Sequence, residues 1–177
     1  NAIYFTTDAI RLFGGDEETR RAVRDPYLQR VYKSELEDES CIHYGSVTPK
    51  CMLEGLSHPV LIASHIKPYR DSAPDAAFDV TNGLLLSKNT DSLFDLGYMT
   101  FDDEGNIIPS EILGNDIRNY LQNFSLHEAF RNEKRMKYMK YHRENVFNRR
   151  FSYNSRRYAS PTENFTVAAE PQIIYGI

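Results

Sequence analysis

Residues 60–95 read VLIASHIKPYRDSAPDAAFDVTNGLLLSKNTDSLFD. The stretch opens on a short apolar, partly β-branched run, Val60 to Ser64, set between Pro59 and Pro68, which predicts a strand. His65 stands where that strand ends, and a polar loop (DSAPDAAFD, 71–79) follows. Asn82-Gly83 then reads as a turn, because both residue types tolerate positive φ. Leu84-Leu85-Leu86 predict a second strand, and Lys88 to Leu96 a short helix anchored by Leu93 and Phe94. A strand, a histidine, a second strand and a helix rich in Asp and Asn decide the fold, and the remaining chain reads as support or as a surface for a substrate.

Working outward, Tyr98 to Phe101, the turn 102–106 (DDEGN) and Ile107-Ile108 predict a β-hairpin. Upstream, Asp16-Glu17-Glu18 places acids at the positive end of a helix dipole. Asp25-Pro26 then supplies an N-cap and a first-turn proline. The helix expected from Pro26 to Glu37 carries Tyr27, Leu28, Val31, Tyr32 and Leu36 as an apolar stripe for the core. The segment 40–49 reads as a turn-rich connector with a structural His43, and 53–59 as a loop containing His58. Downstream, a helix is expected near Asn115 to Leu121 and a long one from Leu126 to Phe147, with Met136, Met139 and Val146 on one face. Beyond Arg150 periodicity is lost. The expected organisation is a helical segment over 1–39, a central domain over 40–150 ending in a basic helix, and a polar tail over 151–177.

A chain of 177 residues fits one domain and buries roughly 70% of its unfolded surface, so it needs no disulfide staples. No apolar run approaches the roughly 20 residues of a membrane span, and there is no signal-peptide pattern, so no membrane partner and a cytoplasmic location are expected. Cys41 and Cys51 form no CxxC pair, and reduced thiols are the expectation. The Asn1-Ala2 start fits a piece of a longer protein. Net charge is −4, yet residues 131–157 hold ten Lys or Arg against two acids, a local +8 that leaves −12 for the rest. Such asymmetry suits either an anionic partner or a solvated helix face.

In the central stretch, His65 reads as a structural histidine or as a general base, since imidazole titrates near neutrality. The Asn82 side chain can tie two loops together and hold the segment that bears His65. Asp91 falls in the first turn of the short helix, where a carboxylate can hold a hard divalent cation. Asp95 lies one turn on, and reads equally as a second metal contact or as a partner for Lys88.

The succession SHIKPYRDS, NGLLLSKNTDSLFDLGYMTFDDEGNI and KYHRENVF resembles the HNH endonuclease family, and within it bacterial members with an SHI…NGLLL…LFD pattern. The resemblance covers about residues 53–147 and implies an α+β fold. At its centre would be a ββα-metal finger, two antiparallel strands and a helix around one divalent ion, with an extra β-hairpin and flanking helices. It implies His65 as the base that activates water, Asn82 as the amide orienting the His65 loop, and Asp91 in the third position as a metal ligand. A carboxylate there favours Mg²⁺ or Mn²⁺. Many relatives carry Asp or His just before the base, where this chain has Ser64, a poor ligand. Water or another acid is then needed, with Asp95, Asp75 and Asp79 as candidates.

The implied reaction is metal-dependent hydrolysis of DNA, double-stranded by preference, leaving 5′-phosphate and 3′-hydroxyl ends, with a role in bacterial restriction or defence. Lys67 and Arg70 would hold backbone phosphates, and Lys137, Lys140 and Arg143 on the basic helix would extend that track. No base-reading motif is evident, which leaves target choice to a recognition domain elsewhere or to a homodimer. A second reading is a nucleic-acid-binding module that keeps the fold with weak or no catalysis.

Overall fold

The computed structural model describes residues 26–149. The helix start expected at 16–21 and the polar tail after 150 lie outside the described residues. Two antiparallel ribbons and five helices build an α+β fold among those residues: α1 (Pro26–Tyr44), β1 (Leu61–His65), α2 (Pro74–Ala77), β2 (Gly83–Ser87), α3 (Lys88–Asp95), β3 (Met99–Phe101), β4 (Ile107–Pro109), α4 (Asn115–Leu121) and α5 (Glu133–Asn145). β1, β2 and α3 are the expected ββα unit, and β3–β4 the expected extra hairpin.

β1 and β2 pair from Leu61↔Ser87 to His65↔Gly83. Every residue of β2 is buried, which requires cover on both faces. α1 and α3 both pack on the ribbon. Burying each of Leu84, Leu85 and Leu86 contributes about 1.5–3 kcal/mol. The outer edge of β2 is satisfied by sulfur and main chain of residues 51–52. Met52 N–H donates to the Leu85 carbonyl at 2.8 Å, and Leu85 N–H donates to Met52 Sδ at 3.3 Å. Ser87 N–H donates to Cys51 Sγ at 3.3 Å. Cys51 therefore serves as a buried acceptor, and both cysteines are free thiols. Ser87 then caps α3 by accepting from Thr90 N–H.

The structure revises several readings of the helices. α1 runs on to Tyr44, through what reads in the sequence as the start of a connector. Its core face is Tyr32, Leu36 and Ser40, while Tyr27, Leu28 and Val31 are exposed or nearly so. Tyr32 and Leu36 enter the same core as the ribbon, so α1 is part of one hydrophobic cluster with it. The expected helix from Leu126 to Phe147 is broken: a 3-10 turn occupies Glu128–Phe130, and α5 restarts at Glu133 with Asn132 as its cap. The local reason is the Asn132 side chain, which accepts from Arg135 N–H at 2.9 Å and favours a cap over a helix interior.

The buried face of α5 is Arg135, Met139 and His142, two of them polar. Arg135 makes a bidentate pair with Glu39 of α1 at 2.9 and 2.7 Å, and donates to the carbonyls of Phe130 and Val80. His142 stacks on Phe94 at 3.9 Å and donates from Nε2 to the Phe94 carbonyl. Its Nδ1 therefore accepts from the Thr100 hydroxyl at 2.9 Å. Where α3 ends, Gly97 has φ +75°, and a Cβ there would strike the Val146 carbonyl, so glycine permits the close approach of α5's end. No helix among the described residues is long and apolar enough to cross a membrane.

Burial pushes His142 down to about 4, with Arg143 adding to that and the Phe94 carbonyl opposing it. The unfolded chain binds this proton near pH 6.5 and the folded one only near 4, so the contribution of neutral His142 is complete above 6.5 and is lost as pH falls towards 4. Urea unfolding across that window should show about 3 kcal/mol of acid-linked destabilisation assignable to this residue. His142→Gln, less stable at neutral pH, should show a flatter pH dependence. Parallel curves for the two proteins would contradict the assignment.

Candidate active site

The site is built where β1 ends. Successive strand residues project to opposite faces, so Ser64 and His65 look two ways. His65 turns towards α1 and the 74–77 helix. Its Nε2 lies 2.8 Å from the Ala77 carbonyl, a group that can only accept. In the neutral ring Nε2 therefore carries the proton, and the basic lone pair belongs to Nδ1. The ring stacks on Tyr32 at 4.8 Å, and Tyr69 meets it edge-on at 5.9 Å.

Asn82 is fully buried beneath the loop that follows His65. Its Oδ1 accepts from Lys67 N–H at 2.7 Å, while Nδ2 donates to the carbonyls of Lys67 (3.2 Å) and Ala76 (3.0 Å). Its own carbonyl accepts from Ile66 N–H and the Tyr32 hydroxyl, each at 3.0 Å. Asn82 thus ties residues 66–67 to Ala76, next to Ala77, whose carbonyl holds the His65 ring. The turn reading of Asn82-Gly83 needs correction. Gly83 is extended, with φ −139° and ψ 157°, and Asn82 closes a 3-10 turn, Val80–Asn82. Glycine stands at 83 because a Cβ would run into the Tyr32 hydroxyl and Leu36.

On the other face, Ser64 meets α3. Burial raises the Asp91 carboxyl, with Asp95 adding to the rise; the Ser64 hydroxyl and Lys88 offset it in part. Ser64 Oγ is buried and has no hydrogen-bond partner of good geometry, although its dipole still lowers Asp91. An orphaned oxygen beside a carboxyl that resists ionising is a place where a cation is stabilising. The set is sparse: among the described residues no three His, Cys, Asp or Glu side chains converge as a metal cluster. Mg²⁺ and Mn²⁺ suit such a site, since Mg²⁺ is commonly held by one or two carboxylates and several waters. Asp79 is not spare. It accepts from Lys134 at 2.7 Å, Tyr138 at 3.0 Å and Thr81, which together outweigh burial and hold its carboxyl below the usual range.

The cations expected to meet a phosphate fall into two groups. Lys67 places its ammonium over the Tyr141 ring at 4.7 Å, and Arg70 is exposed beside Asp71 at 3.7 Å, both just past His65. On α5, Lys137 and Lys140 are exposed but paired within the helix to Glu133 and Glu144, while Arg143 is held by the Phe101 carbonyl and Asp103. Lys134 and Arg135 are likewise paired, with Asp79 and Glu39, so much of the basic segment is neutralised locally. The structure thus groups Ser64, Asp91 and Asp95, and separately His65, Asn82 and Lys67, joined through the adjacent positions 64 and 65. Sequence reasoning missed Tyr32, whose signal was only its place in the helical stripe, and the Ala77 carbonyl, which has no sequence signal.

Residues 51–102 match the family model for HNH endonuclease, a span that contains β1, β2, α3 and β3 and, among their residues and loops, His65, Asn82 and Asp91. No curated protein matches the chain.

A carboxyl raised by folding destabilises the protein at neutral pH, because the unfolded chain ionises it more readily. Asp91→Asn should therefore melt higher than the native protein in chelator, and should show no upward shift with Mn²⁺ where the native protein should show one. Thermal melts with and without the ion check both; a variant that melts lower in chelator and still responds to Mn²⁺ would contradict the placement.

Proposed function

Residues 51–102 of this chain belong to the HNH endonuclease family, and on that premise we propose that the protein is a divalent-metal-dependent endonuclease that hydrolyses DNA phosphodiester bonds. The observation that carries the reading is the Nε2 to Ala77 bond, which leaves His65 with its lone pair on Nδ1, the state required of a general base. Asn82 keeps the loop on which that geometry depends in place.

His65 takes a proton from water at Nδ1 as the water oxygen attacks phosphorus in line with the leaving 3′ oxygen. The P–O3′ bond breaks, the 3′ oxygen gains a proton from solvent, and the products end in 5′-phosphate and 3′-hydroxyl. Lys67 and Arg70 hold the flanking phosphates as charge partners, giving affinity and salt dependence without base readout. Asp91, with Asp95 and Ser64 beside it, would hold Mg²⁺ or Mn²⁺, which when bound supplies charge stabilisation at the scissile phosphate and leaving oxygen. A role in restriction or defence rests on the resemblance alone.

The sparse acid set favours a second reading, a DNA-binding module with the fold and without turnover. Nicking of supercoiled plasmid separates the two. The native chain should nick with Mn²⁺ or Mg²⁺ and lose activity in chelator. His65→Ala should lower the rate by about 10²–10⁴-fold while DNA binding, measured at fixed salt, stays close to native. Unchanged nicking by His65→Ala would remove His65 as the base. Salt-dependent binding with no nicking under any divalent ion would establish the binding module instead.

A further inference from the structure

We propose that Tyr32, on α1 and outside the matched segment 51–102, is a positioning residue for His65, so that the base side of the site is completed by a helix the family segment does not contain. The proposal rests on the reading of His65 as the base.

Three observations converge on Tyr32. Its ring lies parallel to the imidazole, 19° between planes at 4.8 Å, an offset-stacked geometry that aromatic pairs favour. Its hydroxyl donates at 3.0 Å to the Asn82 carbonyl, the same oxygen that accepts from Ile66 N–H, one residue past His65. The third is Gly83, directly opposite His65 in the ribbon, where a Cβ would collide with that hydroxyl. The phenol thus occupies space that any other residue at 83 would take.

The bond from Nε2 to the Ala77 carbonyl sets the tautomer only while the imidazole keeps the orientation that points Nε2 at that oxygen. The parallel Tyr32 ring against one face, with Tyr69 edge-on, holds that orientation. The tautomer and the plane are then both set before substrate arrives, and misplacement of a base by about 1 Å can cost about 10²-fold. Tyr32 is nearly fully buried, so its own position is set by the core cluster it shares with Leu36 and β2. Its hydroxyl stays protonated, since burial drives its pKa far up, and it remains a donor at any working pH.

The test uses the full chain, ¹⁵N-labelled, with Tyr32→Phe and Tyr32→Met. Long-range ¹H–¹⁵N correlations report the His65 tautomer, ring–ring NOEs report the stack, and plasmid nicking gives kcat and KM. The native protein should show one Nε2–H tautomer and a Tyr32–His65 NOE. Tyr32→Phe, which keeps the ring, should keep the tautomer and stay within about threefold in kcat. Tyr32→Met should lose the single tautomer and at least about tenfold in kcat, with KM for DNA nearly unchanged. A Tyr32→Met protein with native tautomer and native kcat overturns the proposal, as does a native protein without the NOE. Should Tyr32→Met not fold, the native spectra and Tyr32→Phe decide, and a mixed tautomer in Tyr32→Phe overturns it. If the native chain nicks no DNA, the base reading fails while tautomer and NOE still judge the positioning.

Discussion

A buried primary amide is tolerable only if its polar atoms are bonded, because leaving one such group unsatisfied costs about 1–3 kcal/mol. Asn82 meets that condition by reaching three different stretches of chain. Its side chain holds both main-chain groups of Lys67 and the carbonyl of Ala76, and its carbonyl holds Ile66 and Tyr32. The loop after β1 thereby has a fixed path, the Ala77 carbonyl arrives at His65 Nε2, and α1 is drawn against the start of β2. The side chain and carbonyl of Asn82 together fix the His65 ring, the loop and the docking of α1.

Much of the fold was legible in the sequence. An apolar, partly β-branched run between two prolines gave β1, three leucines after Asn82-Gly83 gave β2, each to within a residue or two, and the ββα unit followed. DDEGN between two apolar runs gave the hairpin, because that turn needs Gly105 at φ +84°. What stayed hidden has a common cause. Amphipathic stripes report which faces can be buried, and α1 had more apolar residues than it buries, so Tyr27, Leu28 and Val31 were misplaced inward. The opposite error fell on α5, whose buried face includes Arg135 and His142. These side chains go inside because Glu39, the Phe130, Val80 and Phe94 carbonyls and Thr100 satisfy their polar atoms, and those partners are distant in sequence.

The site divides along the same line. His65 and Asn82 lie on one side of the end of β1, and Ser64 sits beside Asp91 on the other. Gly83 was marked for the wrong reason, since it relieves crowding by Tyr32 and needs no positive φ. On the basic helix, Lys134, Arg135, Lys137, Lys140 and Arg143 are all paired, which a count of charges along the sequence does not reveal. Exposed pairs such as Lys137–Glu133 are worth little and yield readily to a phosphate, whereas the buried Arg135–Glu39 pair belongs to the fold.

One divalent cation is proposed to bind at the Ser64–Asp91 side of the strand that bears His65. Mn²⁺ broadens NMR signals of nuclei close to it, so a substoichiometric titration of the ¹⁵N-labelled chain locates the ion directly. The amide signals of Ser64, His65, Asp91 and Asp95 should broaden first, and Asp91→Asn should abolish the effect at the same ion concentration. Broadening that begins elsewhere, or that is the same in Asp91→Asn, would contradict it.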